Sequence, residues 1–350
     1  MMAGMSMSWR DLHSTAVVAD AHNDLLCAVV ARPTTEWSDY FRREWLPQLR
    51  AGGVTLQVLP VFIDETFQPE GALRQTIRMI ECARQITADN ADDVTLCLTA
   101  TDIDEALSVG RIALVLALES APGVGEDIEL FRILHTLGVR IVSIAHFGRT
   151  ALADGSGEDA TGSSLTSVGV EAVALLEELG VLFDVSHLGA AGVSHVLNIA
   201  TRPLIATHSS ARALRDHHRN LTDEHILGIA GTGGVVCVNF FAPFLAADGA
   251  TLDHVVDHIE HIVALAGVRA VGLGPDFVKQ VLAETQPAWC EHAPVRLLGT
   301  SLTYLEGLEG PAGLPLVTER LVARGWAEDD IRAVLGGNVL RLFRDHFGPA

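Results

Sequence analysis

I-A-L-V-L-A-L-E, residues Ile112–Glu119, decides how this chain folds. Seven apolar residues run without a break and end in a carboxylate. Similar short apolar runs recur at about 15–20, 54–62, 139–145, 181–186, 203–207, 234–240 and 268–273. They are continuous rather than alternating, as expected of strands covered on both faces. Between them lie segments of helical periodicity at 72–86, 167–179, 252–266 and after Thr222, which with Asp223 makes a helix start. Eight strand–helix units predict a (β/α)8 TIM barrel, whose active sites lie at the C-terminal ends of the strands. The competing fold is a doubly wound open sheet. Its dinucleotide fingerprint would follow the first strand, but residues 21–26 read A-H-N-D-L-L. No linker or internal repeat divides the chain, so residues 1–350 are read as a single barrel domain with closing helices at about 316–346. Two long loops, 148–166 and 277–314, stand out; the second carries Pro287, Pro294 and Pro311.

Composition narrows the function. The 350 residues are 49% hydrophobic, enough for a large core, and 44 acidic against 24 basic residues give a net charge of −20. A polyanion partner such as nucleic acid is excluded, because it needs a basic footprint. No apolar run approaches the ~18 residues of a membrane helix. The first ten residues lack a basic segment followed by an apolar one, so a secretory signal is not evident and a cytoplasmic location is expected. The five cysteines (Cys27, Cys82, Cys97, Cys237 and Cys290) form no CxxC, against a disulfide framework or a zinc knuckle. Lys279 is the only lysine and no GxxxxGK[ST] precedes it, which removes a P-loop. No GxSxG is present, and no cysteine sits at a strand end near a histidine.

The chemistry lies in what ends each apolar run. Six of the eight end in a His, Asp or Glu: His22-Asn23-Asp24, Glu119, His146, His187, His208 and Asp276. In a barrel these ends meet on one face. Singly, each has a plain structural reading as a capped or solvated residue; their joint occurrence does not. Alternation places the His22 and Asp24 side chains on the same side of a strand. Imidazole with carboxylate suits Zn²⁺ and related divalent ions. Three neutral histidines and two carboxylates would offset much of the charge of two zinc ions, with a bridging hydroxide supplying the rest. Two metals about 3.5–4 Å apart activate a shared water and polarise a scissile carbonyl. Such a pair needs a bridging protein ligand. A carboxylated lysine could come only from Lys279, after the last strand, so Glu119 is the better candidate.

At this point the sequence resembles the membrane (renal) dipeptidases of the amidohydrolase superfamily, over nearly the whole chain. The carriers, in family order, are D-A-H-N-D-L (20–25), Glu119, I-A-H (144–146), D-V-S-H (184–187), T-H-S-S-A-R-A-L (207–214), H-R-N-L-T-D (218–223), V-V-C-V-N-F-F (235–241), G-L-G-P-D-F (272–277) and G-G-N-V-L-R-L-F (336–343). The resemblance implies two Zn²⁺ ions, for which Co²⁺ or Mn²⁺ could substitute. His22 and Asp24 would hold one, His187 and His208 the other, and Glu119 would bridge them. A metal-bridging hydroxide would attack the peptide carbonyl. His146 would contact the substrate carbonyl or oxyanion, Arg219 would bind the substrate carboxylate, and Asp276 would move the proton to the leaving amine. The implied substrate is a small dipeptide, including one with a C-terminal D-residue, and the implied assembly is a homodimer.

The chain departs from the family pattern in three places. It reads Asp276-Phe277-Val278-Lys279 where the family has G-x-D-F-D-G, His217-His218-Arg219-Asn220 where it has H-P-R-N, and Phe241 where an aromatic hydroxyl is common. Lys279 is expected to bring positive charge to the mouth of the site. Two other readings compete: a hydrolase of this fold acting on an N-acyl amino acid, lactam or lactone, and a binding protein without activity. The complete set of strand-end ligands argues against the latter.

Overall fold

The structure is a computed structural model that describes residues 8–285 and 302–348. Nine strands are found among the described residues: β1 (Ala19–Asp20), β2 (Leu56–Phe62), β3 (Val94–Leu96), β4 (Ile112–Glu119), β5 (Val139–Val142), β6 (Leu182–Asp184), β7 (Leu204–Ala206), β8 (Val235–Val238) and β9 (Val271–Leu273). Eight of them pair in the order β1-β2-β4-β5-β6-β7-β8-β9, every pair parallel. The circle is drawn together where the Ala21 N–H donates to Leu273 O at 3.0 Å and the Asp276 N–H to His22 O at 3.0 Å. The arrangement is the expected (β/α)8 barrel.

Residue alternation sorts two cores. Leu56 and Val58, Ala113, Val115 and Ala117, Ile141, Leu182, Ile205, Val235 and Cys237 fill the barrel interior. Their neighbours Leu59, Val61, Leu114, Leu116, Leu118, Val142, Phe183, Val236 and Leu273 pack outward against the helices. The small alanines on β1 and β4 leave room in the interior. Val339, Leu340, Leu342 and Phe343 of the helix Asn338–Phe347 join the interior cluster and close it. That helix packs against β8, β9 and the helix Ala100–Ser108. It reaches the barrel because Gly336 lies against the start of β1: a Cβ there would sit 2.5 Å from Val17 O and 2.7 Å from Ala19 N.

Several sequence expectations need correction. The run at 15–20 is mostly not strand. Ser8 Oγ accepts the Asp11 N–H and starts a helix, Trp9–Thr15, and of the run only Ala19 and Asp20 are strand. Strands β5 to β9 are shorter than their apolar runs; Val268–Ala270, for example, is a 3-10 turn. Strand β3 was not anticipated: it is a three-residue piece beside the foot of β4, with Val94 opposite Ile112. The loop 148–166 is pinned rather than open. Arg149 forks onto Asp154 at 2.5 and 2.8 Å, and Ala153 bridges to Leu165. The loop 277–314 contains the helix Lys279–Thr285. Its residues 286–301, with Pro287, Cys290 and Pro294, lie outside the described residues. The closing helices are present as Pro315–Ala323, Glu328–Arg332 and Asn338–Phe347. No described helix is long and apolar enough to cross a membrane.

Gly336→Ala should force the closing helix away from β1 and cost about 1–3 kcal/mol of stability, as overpacking typically does. A urea-unfolding midpoint equal to wild type would show that this close approach is not needed.

Candidate metal centre

Alternation along β4 delivers the central carboxylate. Ala113, Val115 and Ala117 face inward, and Glu119 continues the same face at the C-terminal end of the strand. The register puts Phe62 of β2 beside it. Glu119 is buried, as are His22, His187 and His208.

His22 and Asp24 do meet, but not by strand alternation, because β1 ends at Asp20. A turn brings them together. Asp20 Oδ1 accepts the His22 N–H at 3.0 Å, Asp20 Oδ2 accepts from Asn23 Nδ2 at 3.2 Å, and Asn23 Oδ1 accepts the Leu25 N–H at 3.1 Å. The chain reverses and starts the helix Leu25–Val30, leaving His22 Nε2 3.9 Å from Asp24 Oδ1. The described non-glycine residues with left-handed φ are Ser120 (55°), His187 (69°) and Asp276 (59°). All three stand at the C-terminal mouth of the barrel. Such conformations cost about 1–3 kcal/mol each and persist where the surroundings enforce them.

The two oxygens of Glu119 face different partners. Oε2 lies 3.4 Å from His22 Nε2. Oε1 lies 3.0 Å from His187 Nε2, 3.6 Å from His208 Nε2 and 3.9 Å from His146 Nε2. His187 Nε2 and His208 Nε2 are 2.8 Å apart. Three groups have ligand atoms close enough to hold a cation: His22, Glu119 and His208; Glu119, His146 and His187; and His22, Asp24 and Asp276.

Further contacts, unmarked in the sequence reading, hold these groups. Thr207 Oγ1 lies 2.5 Å from Asp184 Oδ2 and 2.8 Å from His208 Nδ1. The single hydroxyl proton goes to the carboxylate, so Oγ1 accepts the Nδ1–H. That fixes the tautomer and frees the Nε2 lone pair for the site. Asp184 Oδ1 in turn accepts the N–H groups of Ser186 and Thr207. Asn239 donates to Asp276 Oδ2 at 2.9 Å and accepts the Phe241 N–H. Asp184, Thr207 and Asn239 all lay within quoted motifs, but spacing alone gave none of them a role.

Charge in the centre is frustrated. Burial and the neighbouring Glu119 and Asp276 push the Asp24 carboxyl well up, and burial with Glu119 raises Asp276. Burial works against ionised Glu119, but His22 and His187 hold it well below the usual carboxylate range. Burial would lower His22, yet Glu119, Asp24 and Asp276 together raise it to about 10. Burial and nearby cationic groups keep His187 and His208 neutral, and burial takes His146 down to about 4. His22 Nε2 and Asp24 Oδ1 are buried with no hydrogen-bond partner. Buried polar atoms are normally paired. The neutral imidazoles of His187 and His208 and the clustered carboxylates fit divalent cations, one of which would take the place of the proton that the carboxylates hold on His22.

A cavity of about 510 Å³ opens over the cluster, with Asp24, Glu119, His146, His187 and Asp276 in its wall. Arg219 stands beside it, buried, its Cζ 5.9 Å from the ring of Phe244, which lines the cavity. Its terminal nitrogens donate to Ser209 Oγ at 2.8 Å and His208 O at 2.6 Å, while Nε has no partner. No carboxylate pairs with it among the described residues, and burial pulls its pKa down to about 10. Lys279 does not join the site. Its Nζ lies 3.5 Å from Glu309 and 5.6 Å from the ring centroid of Tyr304, so its charge is set against Glu309 beside the cavity wall rather than in it.

Known proteins resemble this chain in sequence and fold. The model of the membrane dipeptidase family, peptidase family M19, matches residues 7–287. The dipeptidase aclJ of Aspergillus oryzae is 28% identical over 323 residues, which cover 89% of this chain and 72% of the relative. An amidohydrolase structure from Pseudomonas aeruginosa is 26% identical with a TM-score of 0.81, covering 98% of this chain and all of that one. A metallo peptidase from Rhodobacter sphaeroides, liganded with a phosphinate mimic of the dipeptide L-Ala-D-Ala, has a TM-score of 0.83 at 23% identity and covers 95% of this chain and 99% of its own; at that identity it speaks for the fold alone. With a family match over most of its length, a barrel of this kind and a cluster of metal-ligating groups at its mouth, the chain belongs to the membrane dipeptidase family, peptidase family M19, and is a metal-dependent hydrolase of the dipeptidase type.

Proposed function

We propose that the chain hydrolyses small dipeptides, including those with a C-terminal D-residue, at a centre that holds two Zn²⁺ ions. The observation that carries this reading is the split of Glu119, with one oxygen toward His22 and the other toward His187 and His208. His22 and Asp24 would hold one ion, His187 and His208 the other, and Glu119 would bridge. Two divalent ions so held lower the pKa of water and polarise a carbonyl. Cobalt and manganese suit the same donors.

The remaining roles fall to the chain's own groups. Neutral His146 lines the cavity and has a ring N–H to give to the oxygen of the scissile carbonyl as charge grows on it. Asp276 also lines the cavity. Asn239 holds one of its oxygens, and burial favours its protonated form, which suits a group that takes a proton and passes it to the leaving amine. Arg219 is a buried cation without an anion, a costly state that the substrate's terminal carboxylate would relieve. Its planar guanidinium suits that ligand.

The reading is tested by amino-acid release from L-Xaa–L-Xaa and L-Xaa–D-Xaa dipeptides with zinc-loaded and chelated protein. Release that stops on chelation and returns with zinc is expected; release indifferent to chelation would refute it. Asp276→Asn should retain its metal and lower kcat by about 10²-fold or more. Undiminished turnover would remove Asp276 from proton transfer. Arg219→Ala should raise KM for dipeptides about tenfold or more, as loss of a buried ionic contact does, and leave the same dipeptides as C-terminal amides unaffected. Equal losses on acid and amide would place the carboxylate elsewhere.

A further inference from the structure

The cavity is far more apolar than its floor. Past the metal-ligating groups its wall continues as an arm along the helix Leu25–Val30, against which the helix Ala72–Asp89 and the helix Lys279–Thr285 pack. Val30, Ala31, Phe62, Met79, Val281 and Leu282 line this arm. Met79 and Val281 are buried, while Ala31 is exposed at the end of its helix. Polar groups line the cavity as well: Asp64 and Thr66 after β2, Gln75 and Arg78 beside Met79 on the helix Ala72–Asp89, and Thr285. Asp64 already accepts the Thr66 N–H, and the Arg78 guanidinium lies 4.9 Å from the ring centroid of Trp37.

Barrel order fixes which end of a substrate meets the arm. In the circle β1-β2-β4-β5-β6-β7-β8-β9, β7 stands four places from β2, directly across the mouth. Arg219 follows β7, and the arm follows β1 and β2. A dipeptide with its carboxylate at Arg219 and its scissile carbonyl over Glu119 therefore points its N-terminal residue toward the arm. A glycine or alanine there would leave apolar wall facing water. A leucine or phenylalanine would cover it.

We propose that this arm seats the side chain of the N-terminal residue and that the enzyme selects dipeptides with a bulky apolar group there. The inference rests on the dipeptidase reading and on the assignment of Arg219 to the carboxylate. The test compares kcat/KM of the zinc-loaded enzyme on Gly-Ala, Ala-Ala, Leu-Ala and Phe-Ala, each with L- and D-alanine, and on the reversed pairs Ala-Leu and Ala-Phe. Leu-Ala and Phe-Ala should exceed Gly-Ala by about tenfold or more, the discrimination expected of added methylenes in an apolar pocket. Ala31→Trp, which fills the arm from its exposed edge, should lower the Phe-Ala to Gly-Ala ratio by about tenfold. A flat series, a preference that follows the C-terminal residue, or an unchanged ratio in Ala31→Trp would overturn this inference while leaving the dipeptidase reading intact. No release from any pair, with metal bound, would overturn both.

Discussion

A carboxylate buried at the end of β4 is the constraint on which the rest of this structure depends. Glu119 is removed from water, and an isolated buried carboxylate is costly. Three imidazoles, His22, His187 and His208, stand within 3.6 Å of its oxygens. These come from strands on different sides of the barrel, so only a closed sheet can bring them to one point. Closure in turn requires small residues inside and a helix to fill the remaining space, which explains Ala113, Ala117 and the apolar face of Asn338–Phe347. The interior is a packed core that positions the mouth, not a channel.

Holding the mouth is expensive. Left-handed backbone at Ser120, His187 and Asp276, together with several buried ionisable groups, works against stability. The support is a set of hydrogen bonds one step behind the ligands. Asp20 and Asn23 turn the chain at His22, Asp184 and Thr207 fix His208, and Asn239 fixes Asp276. Each of these groups is buried or nearly so, so none is loosened by exchange with water. Their bonds act on orientation, which decides whether a ligand atom points into the site.

The ends of apolar runs were informative because a polar residue at the close of a buried strand has few other places to go. Glu119 illustrates this: three inward alanine and valine positions at spacing two lead to it, and the structure follows that parity. His22 and Asp24 were paired from the same rule, yet a turn built on Asp20 does the work. A side chain that folds back on its own backbone leaves no periodic trace. The left-handed residues were equally hidden, since no glycine or asparagine marks His187 or Asp276. Strand β3 is too short to carry a pattern, and the helix Trp9–Thr15 has only Trp9 and Leu12 as large apolar residues, too few to show a helical period. Lys279 failed for another reason. Position in sequence placed it near the mouth, but a long flexible side chain follows its partner, and Glu309 draws it away.

The charges that remain at the mouth are not spread evenly. Asp24 and Asp276 follow β1 and β9, which are neighbours across the closure, while Arg219 follows β7. Arg219 stands only two places along the ring from Asp276, and it and His22 lower the carboxyl that burial raises. A low-dielectric cavity wall concentrates the field between them. Under the proposed function, the carboxylate of a free dipeptide would turn toward Arg219, the buried cation to which no carboxylate is paired among the described residues. The net charge of −20 plays no comparable part, because exposed charges more than about 10 Å away are screened by salt. Under the proposed function, orientation would come from the few groups that burial protects from screening, and it would present the peptide carbonyl where His146 and Glu119 face each other, 3.9 Å apart.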